Sequence, residues 1–155
     1  LIVSGINCAH QIYKNWPGDI SVWKGFNGDI TQIGYYSAAM DDGSVEVMVP
    51  QLLYKHRTFQ FLNLGQNHAR PYHNWKSMLG KTDDDPPGQR AIIVTVRNGV
   101  LNPLQDLLPS AKVDQHFAAP HGRTWALAFI IDKDKLPSPH MLEEMDRKWL
   151  RPMGY

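Results

Sequence analysis

Two apolar runs placed close together constrain this chain more than any other feature. The first, Arg90-Ala-Ile-Ile-Val-Thr-Val96, is almost unbroken in β-branched residues and is entered through the breaker Asp85-Pro86-Pro87-Gly88. The second, Thr124-Trp-Ala-Leu-Ala-Phe-Ile-Ile131, is closed by the solvated charges of Asp132 to Lys135. Each is too short to cross a bilayer and too continuously apolar for a sheet with one wet face, so both are expected as central strands covered on both sides. Between them, Asn102-Pro103 supplies a cap and a proline at a first helical position, and Leu104, Leu107 and Leu108 give a short apolar face. Two buried strands joined through a helix predict a parallel or mixed sheet.

The chain around this centre has 155 residues, of which 43% are hydrophobic and 20% charged, enough for a core without staples. A formal charge of +1 with no basic stripe speaks against nucleic acid. Cys8 is the single cysteine, so no internal disulfide is expected. No run of about 18 apolar residues suggests membrane insertion, and no targeting signal stands in the sequence. We expect residues 1–155 to be one globular domain, cut from a longer chain because it starts at Leu1 rather than at methionine.

Upstream, alternation predicts strands over 1–4, 19–23, 30–39, 44–49 and 54–64, with Asp41-Asp42-Gly43 joining the third and fourth as a hairpin. Tyr72, Trp75, Met78 and Leu79 fall at helical spacing, and Ser138-Pro139 opens an amphipathic stripe through Met141, Leu142, Met145 and Trp149. The expected fold class is α/β (α+β): a mixed β-sheet sandwich of about six to seven strands with three short helices.

Three constellations could carry chemistry. Asn7-Cys8-Ala9, followed by Gly18-Asp-Ile-Ser-Val-Trp23 and Gly28-Asp29-Ile30, has the order of cysteine amidases and peptidases of peptidoglycan type, which would make Cys8 the nucleophile and His10 or His56 its base. Asp29 stands where that pattern has histidine. His68 with His73, and His116 with His121, form two pairs that could together close a zinc site, but no cysteine or carboxylate set joins them and no metal or other cofactor is expected. Aromatic residues beside polar loops are the third signal. Trp16, Trp23, Tyr35, Tyr36, Tyr72 and Trp125 offer flat faces, and Arg97, Asn98 and Arg123 offer hydrogen-bonding arms near the ends of the core strands. Sugar sites combine those two features, because a pyranose face packs on a ring while its hydroxyls need planar donors and acceptors.

Residues 54–133 also resemble a known family, the interleukin-like EMT inducer domain of small secreted cytokine-like proteins, of a glycosyltransferase stem and of some phage tail fibres. The resemblance is carried by Arg57-Thr-Phe-Gln-Phe61, Gly88, Ile92 to Asn98, the leucine helix at 104–108 and Gly122-Arg-Thr-Trp-Ala126. Arg97-Asn98 replaces the family's acidic pair, Thr124 stands where aspartate is usual, and the family's disulfide cysteines are missing. The resemblance implies a sugar-holding role for Asn98 and Arg123.

The expected function is a non-catalytic recognition module for a glycan or a protein partner, extracellular or on a virion surface, with Arg97, Asn98, Arg123 and Trp125 lining the site. The position supports it, since open α/β sheets place ligands at the carboxyl ends of their strands. The alternatives are the cysteine amidase and a structural, oligomerising domain with exposed edge strands.

Overall fold

In the computed structural model, residues 24, 27–40, 44–65, 68–81, 87–96 and 108–145 are described. They form five strands and five helices. In chain order these are α1 (Gly28–Ala39), β1 (Val45–Pro50), α2 (Gln51–Tyr54), α3 (Arg57–Leu62), β2 (Ala69–Tyr72), α4 (Trp75–Leu79), β3 (Gln89–Thr95), β4 (Lys112–Ala118), β5 (Thr124–Asp132), a 3-10 turn (Lys133–Lys135) and α5 (Pro139–Met145). The strands make one open sheet in the order β2-β1-β3-β5-β4. β1 runs parallel to β2 and to β3, whereas β5 is antiparallel to both β3 and β4. The mixed α and β content agrees with the sequence. The sandwich of six to seven strands does not appear among the described residues, because two of the expected strands are helical and no second sheet forms.

The two apolar runs lie side by side at the centre, in register from Gln89 opposite Asp132 to Thr95 opposite Ala126. Both faces are covered. Val45, Val47, Val49, Ala91, Ile93, Ala126 and Ala128 point to one side, where Ile30 and Ile33 of α1 and Phe59 of α3 pack on them. Met48, Ile92, Val94, Leu127, Phe129 and Ile131 point to the other, beneath Met78 and Leu79 of α4, Leu136 just after the 3-10 turn, and Leu142 of α5. The result is a three-layer arrangement of helix, sheet and helix.

Residues 30–39, expected as a strand, are helical. Ile30, Ile33, Gly34 and Ser37 are the buried positions, spaced three and four apart, and that stripe prevails over the strand preference of isoleucine and tyrosine. The strand expected over 54–64 is α2 and α3 instead. Phe59 is fully buried while Phe61 is 76% exposed, so the two rings do not share a face. The hairpin expected across residues 41–43 is absent too: the strand that begins at Val45 pairs with β2 and β3, both parallel to it. Strand β4 carries no apolar alternation in the sequence, because five of its seven residues are exposed. The expectations over 1–4 and 19–23, the Asn102-Pro103 helix and Trp149 fall outside the described residues. α4 falls within the stretch between Pro71 and Gly80 expected as a helix, but Pro71 and Tyr72 belong to β2 instead, and α5 starts where expected, with Ser138 Oγ accepting from the Met141 N–H.

The connection from β1 to β2 passes over one face through α2 and α3, and that from β2 to β3 passes over the other through α4. The chain therefore changes direction between β1 and β3, at whose carboxyl ends an open sheet of this kind leaves a crevice. Because β5 is antiparallel to β3 and β4 to β5, the start of β5 and the end of β4 lie at that same end of the sheet. No described helix is long and apolar enough to cross a membrane.

Candidate functional site

At the carboxyl end of β4, where this outer strand passes α1, the surface opens into a groove of about 600 Å³. Gln32, Tyr35 and Tyr36 of α1 line one wall, and Gln115, His116, Phe117 and Ala118 of β4 line the other. The size lies in the range of small-ligand sites. Helical spacing puts Gln32, Tyr35 and Tyr36 on one flank of α1 while Ile30 and Ile33 enter the core. On the strand, irregular pairing between Val113 and Gln115 and between Phe117 and Ala118 interrupts the ladder with β5. Such bulges re-aim side chains and discourage another strand from adding at the edge.

The wall is firmly built. Phe117 is buried, meets Tyr36 edge-on at 5.5 Å between ring centres, and is backed by Trp125 at 6.0 Å. The Tyr36 hydroxyl donates to Asp114 Oδ2 at 2.9 Å, which fixes the ring. Burial, then the bond to the Asp114 carboxylate and its negative charge, hold this phenol well above the usual tyrosine range, so it stays protonated. Gln32 Nε2 donates to the Ala118 carbonyl at 3.0 Å, tying helix to strand. Its Oε1 is buried and has no protein partner. Tyr35, by contrast, leaves 63% of its surface exposed. No lining side chain carries a fixed charge.

The residues expected from sequence meet this geometry unevenly. Arg123 is exposed in the turn between β4 and β5, and Trp125 is half-buried behind Phe117. Both lie at the expected end of the sheet, where Val96 N donates to Trp125 O at 2.7 Å, but Trp125 backs the groove rather than lining it. Arg97 and Asn98 directly follow Val96 and lie outside the described residues, as do Cys8 and His10. His56 caps α3: its Nδ1 accepts from the Thr58 N–H at 3.2 Å. A general base needs such a lone pair free, and here this one is engaged by the backbone of α3.

The histidine pairs do not converge. His68 Nε2 lies 2.6 Å from the Ser37 carbonyl beside β2, whereas His116 stands on β4. Those strands are opposite edges of the sheet, four inter-strand steps or about 19 Å apart. Among the described residues no group of three or more histidine, cysteine or acidic side chains could hold a metal ion.

A second concentration of polar chemistry sits at the other end of the sheet, on the α4 face. Buried Glu46 accepts from Arg90 Nε at 2.9 Å and Nη2 at 2.8 Å, and its carboxylate also meets Lys133 Nζ at 3.4 Å and Arg70 Nε at 3.0 Å. Arg90 Nη1 donates onward to the carbonyls of Met78 and Gly80, where α4 ends. One carboxylate thus joins β1, β2, β3, the turn after β5 and the end of α4. Arg90 and Lys133 are themselves buried, so this cluster acts as a structural clamp, with the exposed Arg70 at its edge.

Comparison with protein-family models, with curated proteins and with solved structures finds no match to this chain.

Proposed function

We propose that the protein is a non-catalytic recognition module whose groove between α1 and β4 binds a neutral, hydroxyl-rich ligand of the glycan class. The observation that carries this reading is the character of the lining: a largely exposed tyrosine ring beside two carboxamides and an imidazole, with no fixed charge. An exposed ring is a platform for the apolar face of a pyranose, and carboxamides pair with hydroxyls as both donors and acceptors. A phosphorylated or strongly charged ligand would find no counter-charge in this wall. The interrupted edge of β4 speaks against an extended peptide adding as a sixth strand. A hydrolytic role would need a nucleophile beside an activated base, and the groove lining contains no such pair.

The test is a glycan array followed by titration calorimetry with the wild-type chain and with Tyr35→Ala. Tyr35 is exposed, so its removal should leave the fold intact, and loss of the stacking platform should weaken glycan binding about tenfold. Absence of any saccharide binding at millimolar concentration by the folded protein would refute the proposal. Equal binding by Tyr35→Ala would place the ligand elsewhere.

A further inference from the structure

We propose that the outward face of α3, with α2 beside it, docks on the surface of an anionic lipid bilayer. None of the residues involved lines the groove, so the proposal does not depend on what the groove binds. Phe59 and Phe61 stand two residues apart, and an α-helix turns them about 200° from each other. Phe59 is fully buried and Leu62 packs on Gly34 of α1, which leaves no rotation of α3 that could cover Phe61. Arg57, Gln60, Phe61 and Leu64 follow at spacings of three and four and are all exposed, Phe61 by 76% and Leu64 by 83%. In α2, Leu52 is 86% exposed, and Gln60 Nε2 donates to the Tyr54 carbonyl at 2.6 Å, fixing the end of α2 to α3.

The charge of the segment selects the partner. From Val47 to Thr82 the sequence contains no aspartate or glutamate, whereas Lys55 and Arg57 stand exposed within the α2–α3 segment. Among the described residues no carboxylate pairs with either cation. α1, packed against α3, carries one acid, Asp29, whose Oδ1 accepts from the Ile30 N–H. Anionic headgroups supply the counter-charge, and the acyl boundary takes the apolar tips out of water without any helix crossing the membrane. Shape favours a bilayer over a folded partner. Phe61, Leu64 and Leu52 project into water, each exposed by more than three-quarters. A fluid surface receives such projections anywhere, whereas a folded partner must present a fitted pocket for each.

The experiment is co-sedimentation of the full chain with vesicles of phosphatidylcholine alone and of phosphatidylcholine with about one-third phosphatidylserine. The wild type should partition onto the anionic vesicles, less onto the neutral ones, and should be released as salt rises. Phe61→Ser combined with Leu64→Ser should weaken partitioning about tenfold or more, because the apolar contribution is lost. Lys55→Gln combined with Arg57→Gln should reduce the preference for anionic over neutral vesicles, by about fivefold for each cation removed. No binding to anionic vesicles by the folded wild type would overturn the proposal, and so would binding that neither double variant changes. Sedimentation of the free protein separates the other occupant: a dimer that Phe61→Ser with Leu64→Ser converts to a monomer, without vesicle binding, would assign this face to a second copy of the chain and overturn the lipid reading. Should a variant fail to fold, wild-type NMR with spin-labelled lipid in the anionic vesicles decides. The side-chain resonances of Phe61 and Leu64 should broaden ahead of those of the buried core, and resonances unaffected at saturating lipid would overturn the proposal.

Discussion

Glu46 shows how one side chain can hold several elements that are remote in sequence. Replacing it by glutamine leaves the Arg90 guanidinium and the Lys133 ammonium buried without a counter-charge, a change that typically costs about 3 kcal/mol. We expect Glu46→Gln to lose that much in urea unfolding. Arg70→Ala, which removes a cation 63% exposed on its side chain, should cost under about 1 kcal/mol. Tyr72 supplies a test by pH. Its hydroxyl donates to the Ile93 carbonyl at 2.7 Å, and burial raises its pKa above the ordinary 10.0. A phenol harder to ionise when folded contributes stability that is complete below pH 10.0 and is lost as pH rises above it, because there the unfolded chain releases the proton first. Unfolding midpoints measured from pH 9 upward should therefore fall less steeply in Tyr72→Phe, by at most about 1.4 kcal/mol per pH unit.

Among the elements, the helices separate local preference from packing. α1 and α3 meet at Gly34, where an added Cβ would lie 2.6 Å from Leu62 Cδ1 and 3.2 Å from its Cβ. In a free helix, Gly→Ala stabilises by about 1 kcal/mol. Here the contact with Leu62 should reverse the sign, and Gly34→Ala should lower stability by about 1–2 kcal/mol in thermal or denaturant melts. α4, with five residues, is too short to persist on propensity, and a capping box secures its start: Asn74 Oδ1 accepts from the Ser77 N–H, and Ser77 Oγ accepts from the Asn74 N–H. Much of this was legible in the residues. Met78 and Leu79 announced α4, and the Ser138-Pro139 pair announced α5. The helical stripe of Ile30, Ile33, Gly34 and Ser37 was also present, yet a glycine and a serine in it leave little apolar signal, and the adjacent tyrosines suggest alternation. Tyr35 and Tyr36 could be singled out as aromatic faces near polar segments. Their partners Gln115 and His116 could not, because nothing local marks a polar edge strand as the far wall of a groove.

For the molecule as a whole, the central pair β3 and β5 is covered on both faces and should be the last part to open. In native-state hydrogen exchange, the amides of Ala91 to Val94 and of Ala126 to Phe129 should exchange only through global unfolding, while those on the outer side of β4 exchange earlier. Protection in β4 equal to that of β3 would contradict this order. The sequence by itself determined that these two runs are interior strands, since continuously apolar runs of strand length, bounded by breakers and charges, fit a sheet covered on both faces. It also determined that the chain carries little net charge. Only the tertiary structure decided that the two runs are antiparallel neighbours and that β1 is flanked by parallel partners. Topology also brought Glu46, Arg70, Arg90 and Lys133 together, and set Gln32 against Ala118 across 86 residues. The physical reason is that burial is encoded locally in hydrophobic pattern, whereas pairing and convergence depend on crossovers between distant segments, which no short window of sequence contains.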